Sequence, residues 1–584
     1  MVSPITGVDS GVRQRAEYHL APVRSSGVLG RSPGQGTSTV ILISSSWVTW
    51  TEETGMRDDS QQDYVLAVDH GTSAMKVALA NMRGDVLALE CAPIGLQLRP
   101  GGGAEQDPGE WWSALVKCSR GLLERGLVPV DRIRAVCCSS QWSGTVPVDR
   151  EGHPIGNALI WMDSRGAPYV KAALRGLINV EGYGILNLVR WLRKTAGIPS
   201  ASGKDPIAHI MYLKHERPDV YRDTYKFLEC KDYLNLALTG EFAASFDSIA
   251  LHWVADIRNI DRVHYDSGLA KKLGIHLDKL PALRRATDIL GTVTPDAAHE
   301  IGVKPDTKVI TGSPDVQSAI VGSGAVRDYE GHIYIGTSSW LTCHVPFKKT
   351  DIFHNMATLP SPIPGRYFVA NEQETAGACL TFIRDSLLFP DDSPCCGDPG
   401  MYREFDRICE TAPPGSHRMI FTPWLYGERT PVEDHAIRGG LFNISLEVKR
   451  CDVIRAVFEG VAYNSRWLLG LVERFVGRRM DALNIIGGGA QSDIWCQIYA
   501  DVLNRRIRRV ADPIQANARG AALIASMALG YVTPDEIPST VRISRVFEPN
   551  PENRKIYDQL YSEFLHLYRQ NREMYHRLNA PVKD

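Results

Sequence analysis

The chain has 584 residues, 44% hydrophobic and 23% charged, with a formal net charge of −2. That length exceeds one ordinary core, so two or more domains are expected. The near-neutral balance, without any basic tract interleaved with aromatics, argues against nucleic acid as a partner. The 12 cysteines include the adjacent pairs Cys137-Cys138 and Cys395-Cys396 but no CxxC and no Cys/His grouping at zinc spacing. Reduced thiols in a cytoplasmic protein are expected, not a disulfide framework or a zinc site.

Residues 1–62 are rich in Ser, Gly, Thr and Arg with little periodicity, which predicts a disordered N-terminal extension. Its apolar run VILISSSWVTW is too short and too rich in serine to span a bilayer. Met56, just ahead of the first convincing strand, is a candidate translation start. Order begins at Tyr64. YVLAVD reads as a strand, Asp69-His70-Gly71-Thr72-Ser73 as a polar turn, and KVALAN as a strand returning beside the first. In EQDPGEWWSALVKCSRGLLE a helix starts at Asp107: Asp107 caps it, Pro108 takes the first helical position and Glu110 completes a capping box. IRAVCCSSQ is a buried strand whose end delivers polar side chains. Strands alternating with helices predict an α/β architecture.

The second half opens with the strand TKVITGS and the loop PDVQSA. HIYIGTSSWLTCHV then repeats the opening plan of strand, Gly-Thr-Ser turn and strand, roughly 265 residues downstream. The recurrence predicts two domains of similar design. Residues 450–475 have apolar positions at helical spacing. DALNIIGGGAQSDIWCQIYADVLN reads as a strand, the glycines Gly487 to Gly489, and a helix capped by Ser492. Residues 550–580 form a terminal amphipathic helix whose role is packing.

A turn between antiparallel strands can aim backbone N–H groups at an anion, with Thr72 or Ser73 adding a hydroxyl donor. Asp69 at the strand end can hold a divalent cation directly or through water. Lys76 either adds positive charge there or faces solvent. The GxxxxGK[ST] spacing of a P-loop is absent, and such a turn also occurs in hairpins for structural reasons alone. The glycine run lets a flat base or ribose approach the backbone, although it lacks the GxGxxG spacing of a dinucleotide fold. Two such turns and a glycine platform suit a nucleoside triphosphate held between domains. Asp315, between a strand and a helix start, is placed either to accept the proton of an attacking hydroxyl or simply to cap its helix. Gln141, Trp142 and Ser143, with Asp163 and Arg165 further on, offer the amide, indole, hydroxyl and carboxylate mixture that holds sugars. Trp142 can equally serve the core.

Together these motifs resemble the FGGY family of carbohydrate kinases, in order from about Asp63 to about Gly530. DHGTSAMKV is similar to the family's first phosphate segment, GTSSW to its second, and IIGGGAQSDIWCQIYADVLN to its adenosine segment. EQDPGEWW, KDYLNLALTGE, WLYGERTP and FEGVAYNSRWLL are further similar blocks. The resemblance implies two actin-like (ribonuclease H-like) ATPase domains flanking a cleft. Their bounds would be residues 63–325 for the sugar-binding half with the catalytic base, residues 326–545 for the nucleotide half, and residues 546–584 for a C-terminal helix. It implies Asp315 as catalytic base and Asp69 near Mg2+. ATP would lie on Gly71, Thr72, Ser73, Lys76, Gly336, Thr337, Gly488, Gly489 and Ser492, and the acceptor on Gln141, Trp142, Ser143 and Asp163. The partner is a small sugar or polyol, with no nucleic acid or membrane; a homodimer stays open. WLYGERTP and LIWMDSR are most similar to xylulokinases, which usually carry Gln-Met-His-Gly where this chain has Gln141-Trp142-Ser143-Gly144. The acceptor therefore stays open between D-xylulose and a related ketose, pentose or polyol. The alternative of a regulatory protein or sugar sensor on the same fold has no use for Asp315 together with the Gln141, Trp142 and Asp163 set.

Overall fold

A computed structural model describes residues 62–180, 182–388 and 400–579. The expected extension, apart from Gln62, and the Cys395-Cys396 pair lie outside the described residues.

The first half is built on a six-stranded sheet. Its strands are β1 (Tyr64–His70), β2 (Ala74–Asn81), β3 (Val86–Pro93), β4 (Ile133–Ser140), β5 (Ile289–Thr292) and β6 (Lys308–Ile310), in the order β5-β6-β4-β1-β2-β3. β1, β2 and β3 form an antiparallel meander, while β4 and β6 run parallel to β1. The second half repeats this plan. β7 (Gly331–Ile335) and β8 (Ser339–Val345) form the hairpin, and β9 (Thr350–Asp351), β10 (Met356–Pro360) and β11 (Tyr367–Ala370) extend it. On the other side β12 (Ala482–Ile486) and β13 (Arg506–Val510) join parallel to β7, and β14 (Ile543–Phe547) closes the edge, in the order β9-β10-β11-β8-β7-β12-β13-β14. The repeated strand-turn-strand motif therefore sits at the centre of each sheet.

β1 is buried along its whole length, as a strand covered on both faces must be. Its side chains alternate between two cores. Tyr64, Leu66 and Val68 pack with Trp111 and Leu115 of α1 (Pro108–Leu123). Val65 and Ala67 join Ala319 and Val321 of α3 (Asp315–Gly322) and Ala521 and Ala522 of α6 (Ala516–Ala528). The same alternation sends Asp69 to the α6 side, where Asn517 Nδ2 reaches it, and His70 to the α1 side, 4.5 Å from the Trp111 ring. On the α1 side lies α2 (Cys230–Thr239), whose Leu234, Leu236 and Leu238 join the same core as Trp111. In the second half the 27-residue α4 (Arg450–Val476) backs the sheet, followed by α5 (Asp493–Leu503).

α1 departs from the sequence reading at its cap. Asp107 accepts from Gly109 N at 2.8 Å and Pro108 opens the helix, but the Glu110 carboxylate turns outward to accept from Gly95 N, so no capping box closes. The final helix, α7 (Arg554–Leu578), buries Tyr557, Leu560, Phe564 and Tyr575. It is tied to α4 by the Tyr557 hydroxyl, which donates to Glu459 Oε1 at 2.8 Å and accepts from Arg455 Nη2 at 3.0 Å. The tyrosine completes the bonding of a fully buried carboxylate that also accepts from Arg455 Nε, Gly415 N and the Ser416 hydroxyl.

α3 and α6 cross backbone to backbone. A Cβ on Gly520 would lie 1.8 Å from the Ser318 carbonyl oxygen, and one on Gly322 1.8 Å from the Ala516 carbonyl oxygen. No flexible side chain stands there to yield. Gly520→Ala is expected to cost about 1–3 kcal/mol or more, seen as a lowered melting temperature. Gly488→Ala, whose Cβ would meet nothing within 4 Å, is the control, expected to stay within about 0.5 kcal/mol of wild type.

Candidate active site

The first turn is held by the chain itself. Gly71 N donates to Ala74 O at 2.9 Å, closing the hairpin. The Thr72 hydroxyl donates to Gln141 Oε1 at 3.0 Å and accepts from Trp161 Nε1 at 2.9 Å, while its carbonyl accepts from Gln106 Nε2 at 2.7 Å. Ser73 is the exposed member of the turn. Register sets Lys76 directly across from Asp69, and Lys76 Nζ stands 3.2 Å from Asp69 Oδ2. Asp69 Oδ1 receives Asn517 Nδ2 of α6 at 3.3 Å. The Lys76 ammonium is held above its usual range by Asp69, with the Tyr334 phenol of β7 contributing. The two hairpins thus meet at Lys76 and Tyr334.

The second turn and the glycine platform adjoin. Gly336 N donates to Ser338 O, its carbonyl accepts from Gly377 N at 2.8 Å, and the Thr337 carbonyl accepts from Ala376 N. A Cβ on Gly336 would strike the Tyr334 ring at 2.4 Å, and that ring stacks on Trp340 with centroids 3.9 Å apart. Gly487 and Gly489 press on Ile335, the residue before the second turn, with added Cβ atoms at 2.5 and 2.4 Å from it. Gly488 alone of the three presents an open face. Ser492 caps α5 by accepting from Trp495 N at 3.1 Å and donates its hydroxyl to Asp406 Oδ1 at 2.7 Å. Burial pushes the Asp406 carboxyl up to about 6.

Asp315 is the first residue of α3, after Pro314 at the cap, and its Oδ1 accepts from Val316 N at 2.8 Å. Burial, and next the charge of Asp69, push its carboxyl up to about 7; Glu372 in the second half acts in the same direction. A carboxylate whose proton affinity sits near neutrality is matched to accepting a proton from an alcohol.

The end of β4 supplies the facing wall. Gln141 is anchored by its N–H to the His70 carbonyl at 2.7 Å and by Nε2 to Gln106 Oε1 at 2.7 Å. Trp142 donates its indole N–H to Ser248 O at 2.9 Å and lies 6.4 Å, centroid to centroid, from Phe368 of β11, in the second half. Ser143 donates its hydroxyl to Lys204 O at 2.9 Å. Asp247 ties this wall to the base: one carboxylate oxygen accepts from Ser248 N at 3.1 Å, the other from the hydroxyl of Ser313, two residues before Asp315. Asp163 is not brought to this wall. Its fully buried carboxylate is taken up by Ala104 N at 3.0 Å and by the Arg165 guanidinium and backbone. Sequence reasoning missed Asn517, Asp247 and Glu372, whose segments carry no motif of their own, and Tyr334, whose strand it read but whose ring takes its place only through the tertiary fold.

The FGGY family of carbohydrate kinases matches over residues 64–322 with its N-terminal domain and over residues 331–529 with its C-terminal domain. A xylulose kinase of Staphylococcus epidermidis is 27% identical over 516 residues, covering 88% of this chain and 98% of that one. An autoinducer-2 kinase of an Enterobacter species is 26% identical, covering 86% and 94%. The crystal structure of a gluconate kinase from Lactobacillus acidophilus superposes with a TM-score of 0.77 at 23% identity, covering 89% of this chain and all of that one, so it shares the fold. Two actin-like α/β halves and two consecutive family domains make the assignment: this chain belongs to the FGGY family of carbohydrate kinases and is a phosphotransferase acting on a sugar-type acceptor.

Proposed function

We propose that the protein transfers the γ-phosphoryl group of ATP to a hydroxyl of a small ketose or polyol, in xylulokinase-like fashion, with D-xylulose giving D-xylulose 5-phosphate and ADP as the reference reaction. The observation that carries this reading is Asp315. It opens α3 within the electrostatic reach of Asp69 and is linked through Ser313 and Asp247 to the wall bearing Trp142. The acceptor hydroxyl attacks the γ-phosphorus, its proton passes to the Asp315 carboxylate, and ADP departs with the electrons of the broken bond. The triphosphate is held between the turns at Gly71 to Ser73 and at Gly336 and Thr337, with Lys76 supplying positive charge and the open face of Gly488 supporting the nucleoside. Gln141, Trp142 and Ser143 contact the acceptor.

Magnesium fits this centre as an ion carried in on the phosphates. Among the described residues no three His, Cys, Asp or Glu side chains stand together to cage a metal, and magnesium usually takes one or two carboxylates beside phosphate and water. Asp69 is the carboxylate that would meet it, and the bound ion would neutralise phosphate charge. Among the described residues no helix is long and apolar enough to cross a membrane. With ten unpaired cysteines among those residues, we place the enzyme in the cytoplasm.

A coupled ADP assay over pentuloses, hexuloses, pentitols, glycerol and aldonates is expected to show acceptor-dependent ADP release. No release with any acceptor would sink the reading. Asp315→Asn is expected to lower turnover by about 10²–10⁴-fold with ATP binding retained; a variant with near wild-type rates would remove Asp315 from the chemistry.

Wild-type kcat/KM is expected to rise with pH through an inflection near 7, because the base must be ionised. A profile flat from pH 5 to 9 would contradict this. Stability runs the other way. The folded state holds the Asp315 proton more tightly than the unfolded chain, so the contribution is full below an aspartate's ordinary 3.8 and is lost as pH rises through about 7. Asp315→Asn is therefore expected to melt no lower than wild type at pH 8.

A further inference from the structure

The turn that presents Trp142 and Ser143 is strained. Ser143 has φ 67°, in the left-handed region that a residue with a Cβ seldom adopts. Something must hold it there. Ser143 Oγ on Lys204 O is one tether. The other is Glu229, whose Oε2 accepts from the N–H of the next residue, Gly144, at 2.8 Å. Gly144 has no room to move, since a Cβ there would lie 2.2 Å from Cys230 Sγ.

Glu229 is oddly used for its place in the chain. It occupies the position before α2 where a polar side chain ordinarily caps its own helix, yet it makes no capping bond and turns to the acceptor turn instead. It is 1% exposed. Its second oxygen, Oε1, has no hydrogen-bond partner among the described residues, and His252 Nδ1, equally unpartnered there, stands 3.8 Å from it. Burial holds the Glu229 carboxyl well above the usual carboxylate range and pushes the His252 ring down to about 3. A buried carboxyl with half its capacity unmet is costly for a fold. What it secures is the Gly144 N–H, directly after the left-handed Ser143.

We propose that Glu229 is a positioning residue that fixes the left-handed turn at Ser143 and Gly144, and through the placing of Trp142 and Ser143 sets which acceptor the kinase takes. This rests on reading that turn as the acceptor wall. A longer or shorter reach from Glu229 shifts the turn at Ser143 and Gly144, whereas the triphosphate cradle is closed by its own hairpin bond, Gly71 N to Ala74 O, and meets the wall earlier in the chain, at Gln141.

Two variants of the full chain test this. Glu229→Gln keeps an acceptor oxygen at the same reach; Glu229→Asp withdraws it by one methylene. With the best acceptor of the panel and ATP varied separately, Glu229→Asp is expected to raise the acceptor KM about tenfold or more, the size of one lost buried hydrogen bond. It should also reorder the acceptors, with kcat and the ATP KM within about threefold of wild type. Glu229→Gln is expected to stay near wild type in all of these. The proposal is overturned if Glu229→Asp keeps the wild-type acceptor KM and ranking, or if Glu229→Gln is as impaired as Glu229→Asp. It also falls if Glu229→Asp does not fold, since the carboxyl then serves stability alone. A wild-type protein that phosphorylates no acceptor takes down the kinase reading first, and this proposal with it. An active wild type with two kinetically silent variants leaves the kinase reading standing and removes only the role of Glu229.

Discussion

The contact on which the rest of the molecule depends is the crossing of α3 and α6, where Gly322 and Gly520 let two helices touch at the backbone. α3 carries Asp315 at its first position and α6 carries Asn517 in its first turn. Both pack on the small-residue face of the first sheet, on Ala67, Ala78, Ala80 and Ala135. Because β1 alternates strictly, that face also delivers Asp69 at the strand end, and register places Lys76 beside it. One close approach thereby gathers an acid, its cation and an amide from segments as far apart as residues 69 and 517. Close packing of this kind transmits small errors as strain rather than absorbing them.

The electrostatics of the centre follow from that gathering. Two carboxylates, Asp69 and Asp315, lie close enough to feel one another in a place largely screened from water, and the cost of ionising both falls on Asp315. Lys76 is committed to Asp69 instead. The raised proton affinity of Asp315 is thus made by its surroundings and not by its residue type. Asp247 adds a tie: by bonding both the Ser313 hydroxyl and the N–H of Ser248, whose carbonyl carries the Trp142 indole, it links the loop before Asp315 to the turn that bears Trp142. Preorganisation of this sort holds reacting groups in place before the substrate arrives.

Much of this was legible in the chain. The repeated strand-turn-strand motif announced two halves of one plan, and IRAVCCSSQ announced a buried strand with polar side chains at its end. The helix after the glycine run starts where Ser492 predicts. Local patterns failed where a side chain had a distant choice. Glu110 has the spacing of a capping box but bonds Gly95 instead. Asp163, read as a sugar contact, is consumed by Arg165 and Ala104 N. The glycines Gly487 and Gly489, read as an open platform, are glycines because Ile335 leaves them no room, and only Gly488 faces outward. Asn517, Asp247 and Glu229 had no signature at all, since their partners lie tens to hundreds of residues away.

The claim at the centre is that the Asp315 carboxyl is tuned by burial and by Asp69 to exchange a proton near neutral pH. Infrared difference spectra of wild type against Asp315→Asn, recorded from pH 5 to 9, observe that carboxyl directly. The account predicts one protonated-carboxyl band that disappears with a midpoint near 7 and is missing in the variant. A carboxyl already ionised at pH 5, with no band to lose, would contradict it.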